Sequence, residues 1–307
     1  MFSRKQKMIF LKLFSLFSVV RGYNILIVVI AQYLTSIYIL AKDTSVKNIV
    51  LDPKLFVLVF ATSLVIAAGY IINNFYDSEK DLINRPNKSM LDKLVSQNTK
   101  LSVYFTLNFF TVILASYVSF KAVLFFSSYI FMIWFYSHKL KKKPLIGNLV
   151  AYSLAIAPFF IVFVYYKNFD TIIFFHAFFL TLIISMREIT KDLENIKGDL
   201  TLNYNTIPVY YGVKVSKQIL ATLLFLTFVV SLVLAYHFKM GAMNYYFYFT
   251  MFFLAFYGIK LFMANKKEHY VVLHIVLKFI ILIGVFSIVL INPDLILDKL
   301  KTLKELF

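Results

Sequence analysis

Long apolar runs alternate with short polar segments along nearly the whole chain. A helical run of about 20 apolar residues matches the thickness of a bilayer's hydrocarbon core. Nine such runs are read, at 17-41, 53-76, 101-119, 121-138, 145-166, 169-190, 216-237, 244-264 and 269-292. The pattern predicts an all-α polytopic membrane protein, with no linker or internal repeat dividing it, so 1-307 is expected to be a single domain. The polar segments 78-100 and 192-215 exceed the two to eight residues usual between bundle helices. Each is expected to contain a short helix covering one end of the bundle. Gly198-Asp199 and Tyr204-Asn205 are expected to break regular structure, and Pro158 to kink the fifth span.

Composition agrees with the pattern: 61% of residues are hydrophobic and 15% charged, against about 25% charged in soluble domains. Phe and Tyr, abundant here, suit lipid contact and interfacial belts. The net charge of +17 does not imply a nucleic-acid partner, because the basic residues sit in loops between spans. Arg4, Lys5, Lys7 and Lys12 precede the first span, and no cleavage-like site follows, so that span reads as retained. Lys80, Arg85, Lys88, Lys93 and Lys100 follow the second span, Lys139 to Lys143 the fourth, Lys191, Lys197, Lys214 and Lys217 the sixth, and Lys266 and Lys267 the eighth. The alternate loops are poorer, with Lys121, Lys167 and Lys239. The positive-inside rule then places the basic loops in the cytoplasm, and the C-terminal tail, with Lys299, Lys301 and Lys304 beside Asp294, Asp298 and Glu305, outside. The chain has no Cys, so disulfides and thiolate metal sites are excluded.

Two acidic stretches change the picture. Asn73, Asp77 and Asp81 step by four, and Glu188, Asp192, Asn195 and Asp199 by four, three and four, so each set would fall on one helix face. Both lie where the chain leaves a span. Like charges at such spacing destabilise an isolated helix, and acids near hydrocarbon are expensive and read as functional. A hard divalent cation would offset that repulsion. Magnesium (Mg2+) takes oxygen ligands and is usually held by one or two carboxylates plus substrate phosphate, so two facing acidic stripes suit a diphosphate. Glu79 and Glu194 lie off the stripes and read as solvated or paired with Lys.

The stretch Asn73-Asn74-x-x-Asp77-x-x-x-Asp81 resembles the first aspartate-rich motif of the UbiA superfamily of intramembrane prenyltransferases, with Asn74 in place of the usual Asp. The stretch from Arg187 through Glu188, Lys191, Asp192, Glu194, Asn195 and Gly198 to Asp199 is similar to the second motif as found in digeranylgeranylglyceryl phosphate synthase-like members, with Asn195 replacing one Asp. Thr206-Ile207-Pro208-Val209, Tyr136-Ser137-x-x-Leu140-Lys141, Pro144 to Asn148, and Arg21-x-x-Asn24 extend the resemblance over most of the chain.

The resemblance implies nine helices around a central cavity and a Mg2+-dependent transfer from a prenyl diphosphate to an acceptor within the lipid. By its second motif the acceptor is a geranylgeranylglycerol phosphate-like lipid, with an aromatic quinone precursor as the alternative. It implies metal-binding roles for Asn73, Asp77, Asp81, Glu188, Asp192 and Asp199, of which Asp77, Asp81, Asp192 and Asp199 are the catalytic set. Substrate-binding roles fall to Arg21, Asn24, Arg85, Lys88, Tyr136, Ser137, Lys141, Lys191 and Asn195. The rival classes fit less well. A cation-coupled transporter would hold its acids near the bilayer midplane, between repeats, and a soluble prenyl diphosphate synthase would lack the spans. His138, His176, His269 and His274 show no ligand spacing, and Lys278, within the last span, has no role assigned by the motifs.

Overall fold

The structure is a computed structural model that describes residues 3–41 and 44–294. The charged C-terminal residues from Asp298 to Glu305 lie outside the described residues. The chain begins with α1 (Arg4–Val20) and α2 (Gly22–Thr35), the latter extended by a π turn at Ser36–Leu40. A short α3 (Val46–Val50) leads to α4 (Pro53–Tyr76), then two short helices, α5 (Ser78–Asn84) and α6 (Pro86–Asp92). Next come α7 (Gln97–Val118), α8 (Phe120–His138), α9 (Ile146–Tyr166) and α10 (Thr171–Glu194). Short helices α11 (Ile196–Thr201) and α12 (Ile207–Tyr210) follow. The chain continues with α13 (Gly212–Tyr236), α14 (Asn244–Met263) and α15 (Lys267–Ser287).

Among the described residues, nine helices are long and apolar enough to cross a membrane, in the order the sequence predicts. The protein is an integral membrane protein. One boundary moves. Residues 17–20 belong to α1, and the first span starts at Gly22, because Arg21 takes a left-handed conformation, φ 50° and ψ 54°, that ends one helix and starts the next. The long polar segments do hold short helices, α5 with α6 and α11 with α12. Gly198-Asp199 does not break the chain, as it lies inside α11; the irregular piece is 203–205, with Asn203 at φ 55°.

Pro158 sits within a helix that continues past it. Its missing N–H would have bonded the carbonyl of Leu154. The Tyr129 hydroxyl of α8 donates to that carbonyl at 2.8 Å instead, and Gln32 of α2 donates to the Pro158 carbonyl at 2.8 Å. Elsewhere in the spans, hydroxyls turn back onto carbonyls four residues earlier, as Thr62, Thr190 and Thr227 do, which satisfies them within their own helix.

Two apolar clusters hold the helices. The first joins α4, α7, α8 and α9 through Leu55, Ile71, Phe126 and Val162, and its buried Ala61, Ala68 and Ala115 let backbones approach closely. The second joins α10, α13, α14 and α15 through Met186, Leu220, Leu254 and Leu277. Because α4 and α10 belong to different clusters, the acids at their ends are brought together by packing between the two halves. The short helices close that acidic end, with α5 packed on α11.

Candidate active site

Each acidic stretch is two helices joined at a bend. Asp77 ends α4 and starts α5 at φ −93° and ψ 5°; Asn195 does the same between α10 and α11 at φ −107° and ψ 11°. The expected single face persists because hydrogen bonds four residues apart run through both bends, from Asp77 N to Asn73 O (2.9 Å), Asp81 N to Asp77 O (2.8 Å) and Asp199 N to Asn195 O (3.1 Å).

The two stretches meet through lysines. Lys141, in the tight turn before α9, donates to Asp77 Oδ1 at 2.6 Å and to Asn73 Oδ1 at 3.4 Å. Lys80 lies 2.5 Å from Asp199 Oδ1, with Asp77 and Asp192 as further charged neighbours and the Tyr204 ring 4.6 Å below it. Lys80 thus stands between carboxylates of both stretches. The Tyr204 hydroxyl donates to Asp77 Oδ1 at 3.3 Å, Thr206 donates to Asp199 Oδ2 at 3.3 Å, and Asn148 of α9 donates to Asp192 Oδ2 at 2.9 Å. Burial pushes the Asp77 carboxyl up, but Lys141, Lys80 and Lys191 outweigh it and hold the group below the usual carboxylate range. Burial likewise pushes Lys80 down, and Asp199, Asp77 and Asp192 outweigh it, so its ammonium is held above the ordinary lysine value. Tyr136 faces Glu188, Asp192 and Asp77, and its neighbour Ser137 is buried.

Two glycines permit this geometry. A Cβ on Gly147 would stand 2.8 Å from the Leu140 carbonyl oxygen, so only glycine lets the turn carrying Lys141 press against α9 beside Asn148. A Cβ on Gly198 would collide with the Asn84 side chain, where α11 crosses α5.

Other candidates are placed differently. Glu188 is shared by Arg187 at 3.1 Å and Lys191 at 3.0 Å. Asp81 is half-buried near Lys88. Asn74 turns away from the acids, donating to Asp92 at 2.9 Å and accepting from Lys100 at 2.9 Å. The amide of Asn195 donates to the Lys191 carbonyl at 2.8 Å, capping α10. Arg85 binds Glu194 at 3.0 Å. Burial pushes the Lys88 ammonium below an ordinary lysine, with Arg21 acting the same way. Asn24 donates to the Tyr70 hydroxyl at 3.1 Å, and Arg21 lies 5.2 Å from that ring's centre.

Glu194 overturns the expectation of a solvated or lysine-paired acid. It is buried and takes Arg85 on one oxygen and His274 Nδ1, at 2.9 Å, on the other. Sequence reasoning also missed Lys80, Tyr204 and Asn148 as site residues. Tyr204 and Asn148 sit within or beside quoted motifs; Lys80 looked like one more loop cation.

The donor set of the acidic end is all oxygen, and the half-buried ammonium of Lys80 already stands among carboxylates from both stretches. That chemistry fits Mg2+. Among the described residues no group of three His, Asp or Glu side chains is placed to hold an ion by itself. Farther along the same helices lies an apolar cavity of about 310 Å3, lined by Ile156, Phe159, Phe163, Phe179, Ile183 and Phe247 among others. At 1.5 Å per residue, Ile183 is roughly 13 Å along α10 from Asp192.

Comparison with known proteins gives consistent relatives. The chain is 29% identical over 217 residues, 67% of its length and 72% of the relative's, to digeranylgeranylglyceryl phosphate synthase of Methanobrevibacter smithii. It is 28% identical over 222 residues, 69% of its length and 77% of the relative's, to the synthase of the same name from Sulfurisphaera tokodaii. Its fold is similar to a solved digeranylgeranylglyceryl phosphate synthase structure, with TM-score 0.68, 23% identity, and 91% and 98% of the two chains covered. It is also similar in fold to a UbiA homolog from Archaeoglobus fulgidus bound to GPP and Mg2+, with TM-score 0.65, 11% identity, and 90% and 99% covered. The model of the UbiA prenyltransferase family matches residues 23–290 of this chain. With that match, the paired acidic bends and the nine spans accounted for, the chain belongs to the UbiA prenyltransferase family.

Proposed function

We propose that the protein transfers a prenyl group from a prenyl diphosphate to the hydroxyl of a glycerol phosphate ether-type lipid. The observation that carries this is the convergence of Asp77, Asp192 and Asp199 on Lys80 at one end of an apolar bundle. Asp77, Asp81, Asp192 and Asp199, with Asn73 and Glu188 beside them, would hold Mg2+. When bound, Mg2+ supplies positive charge that binds the diphosphate and stabilises it as a leaving group.

The chain's own residues do the rest. Lys80, Lys141 and Lys191 exchange carboxylate partners for phosphate oxygens as the diphosphate binds, and neutralise the charge that builds when the allylic C–O bond breaks. The bond's electron pair leaves with the diphosphate. Tyr136 and Ser137 face the allylic end, and the aromatic cavity takes the far part of the apolar tail. The acceptor oxygen forms the new ether bond and its proton passes to the released diphosphate. The names of the relatives favour the lipid acceptor over an aromatic one. Mass spectrometry of products from the purified protein, given a panel of prenyl diphosphates and both acceptor classes, tests the reading; transfer to an aromatic acceptor alone would overturn it.

Turnover is expected to vanish after EDTA treatment and return with added magnesium. Full activity in metal-stripped enzyme would remove the metal from the reading.

We read the loop charge, by the positive-inside rule, as an argument for an acidic end that faces the cytoplasm from the cell's inner membrane. Met90 and Asn203 are exposed at that end, and Lys167 is exposed at the other. Cysteines at Met90 and Asn203 are expected to react with an impermeant reagent from the cytoplasmic side, and one at Lys167 from the opposite side. Labelling of Met90 and Asn203 from different sides would contradict the shared site.

A further inference from the structure

Beside the acidic end, on the α15 face of α10, lies a group of cations that the diphosphate site does not account for. Lys278 has Arg187, Arg21 and Arg85 as its charged neighbours, with Glu194 the carboxylate among them. His274, one turn earlier on α15, faces Arg187, Lys278 and Glu194. Glu194 already carries Arg85 and His274, and Glu188, beside Arg187, is shared with Lys191. Positive charge therefore exceeds negative here, and Arg187 and Lys278 lie inside spanning helices, where each uncompensated cation is costly.

Two polar atoms point to a ligand. His274 is only 6% exposed, and its Nε2 is buried with no hydrogen-bond partner. Nε of Arg187 is likewise buried without one. His274 gives its Nδ1 proton to Glu194, so its Nε2 is an acceptor, whereas Arg187 Nε is a donor; buried groups of either kind are normally satisfied. Lys278 itself is accessible, and roughly 16 Å along α15 from Lys267 at 1.5 Å per residue. It stands one turn from the buried His274 and so shares its face of α15. The arrangement offers a planar donor fork from Arg187 and the ammonium of Lys278, which together match a phosphate.

We propose that Arg187 and Lys278, flanked by Arg21, Arg85 and His274, form a second anion site that binds the phosphomonoester of the acceptor lipid, separate from the site that takes the donor's diphosphate. The assignment rests on the lipid-acceptor reading above. It gives the acceptor a reason to orient: with its phosphate held against α15, the adjoining glycerol hydroxyl lies toward Asp192 and Asp77, where the allylic carbon is delivered.

The test uses the full-length protein in detergent, with Lys278→Met, which removes the charge, and Lys278→Arg, which keeps it. Kinetics are measured with a geranylgeranyl ether of glycerol phosphate and with its dephosphorylated alcohol. Binding is followed separately by thermal shift with the phosphorylated lipid, the alcohol and inorganic phosphate. Lys278→Met is expected to raise KM for the phosphorylated acceptor at least tenfold, to change the donor's KM less than threefold, and to abolish preference for phosphorylated acceptor over alcohol. Lys278→Arg should keep most of that preference. The phosphorylated lipid should protect the wild type and not Lys278→Met; protection equalled by inorganic phosphate would show a free-anion site and overturn the lipid assignment. An equal rise in donor KM would assign these cations to the diphosphate and also overturn it. If the product panel shows an aromatic acceptor while the phosphorylated lipid still protects through Lys278, the activity reading fails and the anion site stands.

Discussion

Asp77→Asn and Asp192→Asn each reduce kcat/KM by about a hundredfold or more, while Glu79→Gln changes it only slightly. The contrast follows from where the side chains lie. Asp77 receives Lys141 and Tyr204, Asp192 receives Asn148, and both are neighbours of Lys80. An amide has the shape of a carboxylate but lacks its charge, so the variant keeps the packing and loses the attraction for metal and lysine. Removing one electrostatic contact of a leaving-group site costs on the order of 3 kcal/mol in the transition state, or about a hundredfold in rate. Glu79 is exposed and about 200° around a helix from Asp77 at 3.6 residues per turn. The measurement is kcat/KM at saturating magnesium, with folding checked by size-exclusion profile. Near-normal turnover in both Asp variants with an inactive Glu79→Gln would show that the working acids lie on another face.

Gly147→Ala lowers kcat/KM by roughly ten- to a hundredfold with little loss of folded protein, although Gly147 touches no charged group. The added methyl meets the Leu140 carbonyl, a backbone atom that cannot rotate away. The turn carrying Lys141 must lift off α9, and the Lys141–Asp77 and Asn148–Asp192 bonds lengthen together. Displacements near 1 Å at such positions can cost about a hundredfold in rate. Gly212→Ala is the control. Gly212 has φ 84° and open space around its Cβ direction, so alanine there costs about 1 kcal/mol of backbone strain and should spare kcat/KM. Equal loss in both variants would trace the Gly147 effect to general destabilisation.

The spans were legible because a bilayer sets one length scale and the apolar runs match it. The acids were legible because carboxylates beside hydrocarbon are costly and therefore informative. Partners across the fold were not. Glu194 sits off the acidic stripe, and nothing local announces that it meets Arg85, 109 residues away, and His274, 80 residues away. Arg21 reads as a cation at the start of a span, and its left-handed backbone leaves no mark in an apolar pattern. Asn74 occupies a motif position, yet its amide is claimed by Asp92 and Lys100. In each case the deciding contact belongs to packing between helices, which hydropathy does not encode.

The bond between Tyr129 and the Leu154 carbonyl ties the histories of two helices together. A residue with an N–H at 158 would donate to that carbonyl as well, and the oxygen's second lone pair would keep the tyrosine. A phenylalanine at 129 would leave the carbonyl stranded. Losing the tyrosine is therefore penalised while Pro158 stands, and nearly neutral once position 158 has an N–H to satisfy the carbonyl. The dependence runs one way: the proline makes the tyrosine of a neighbouring helix necessary, well away from the chemistry.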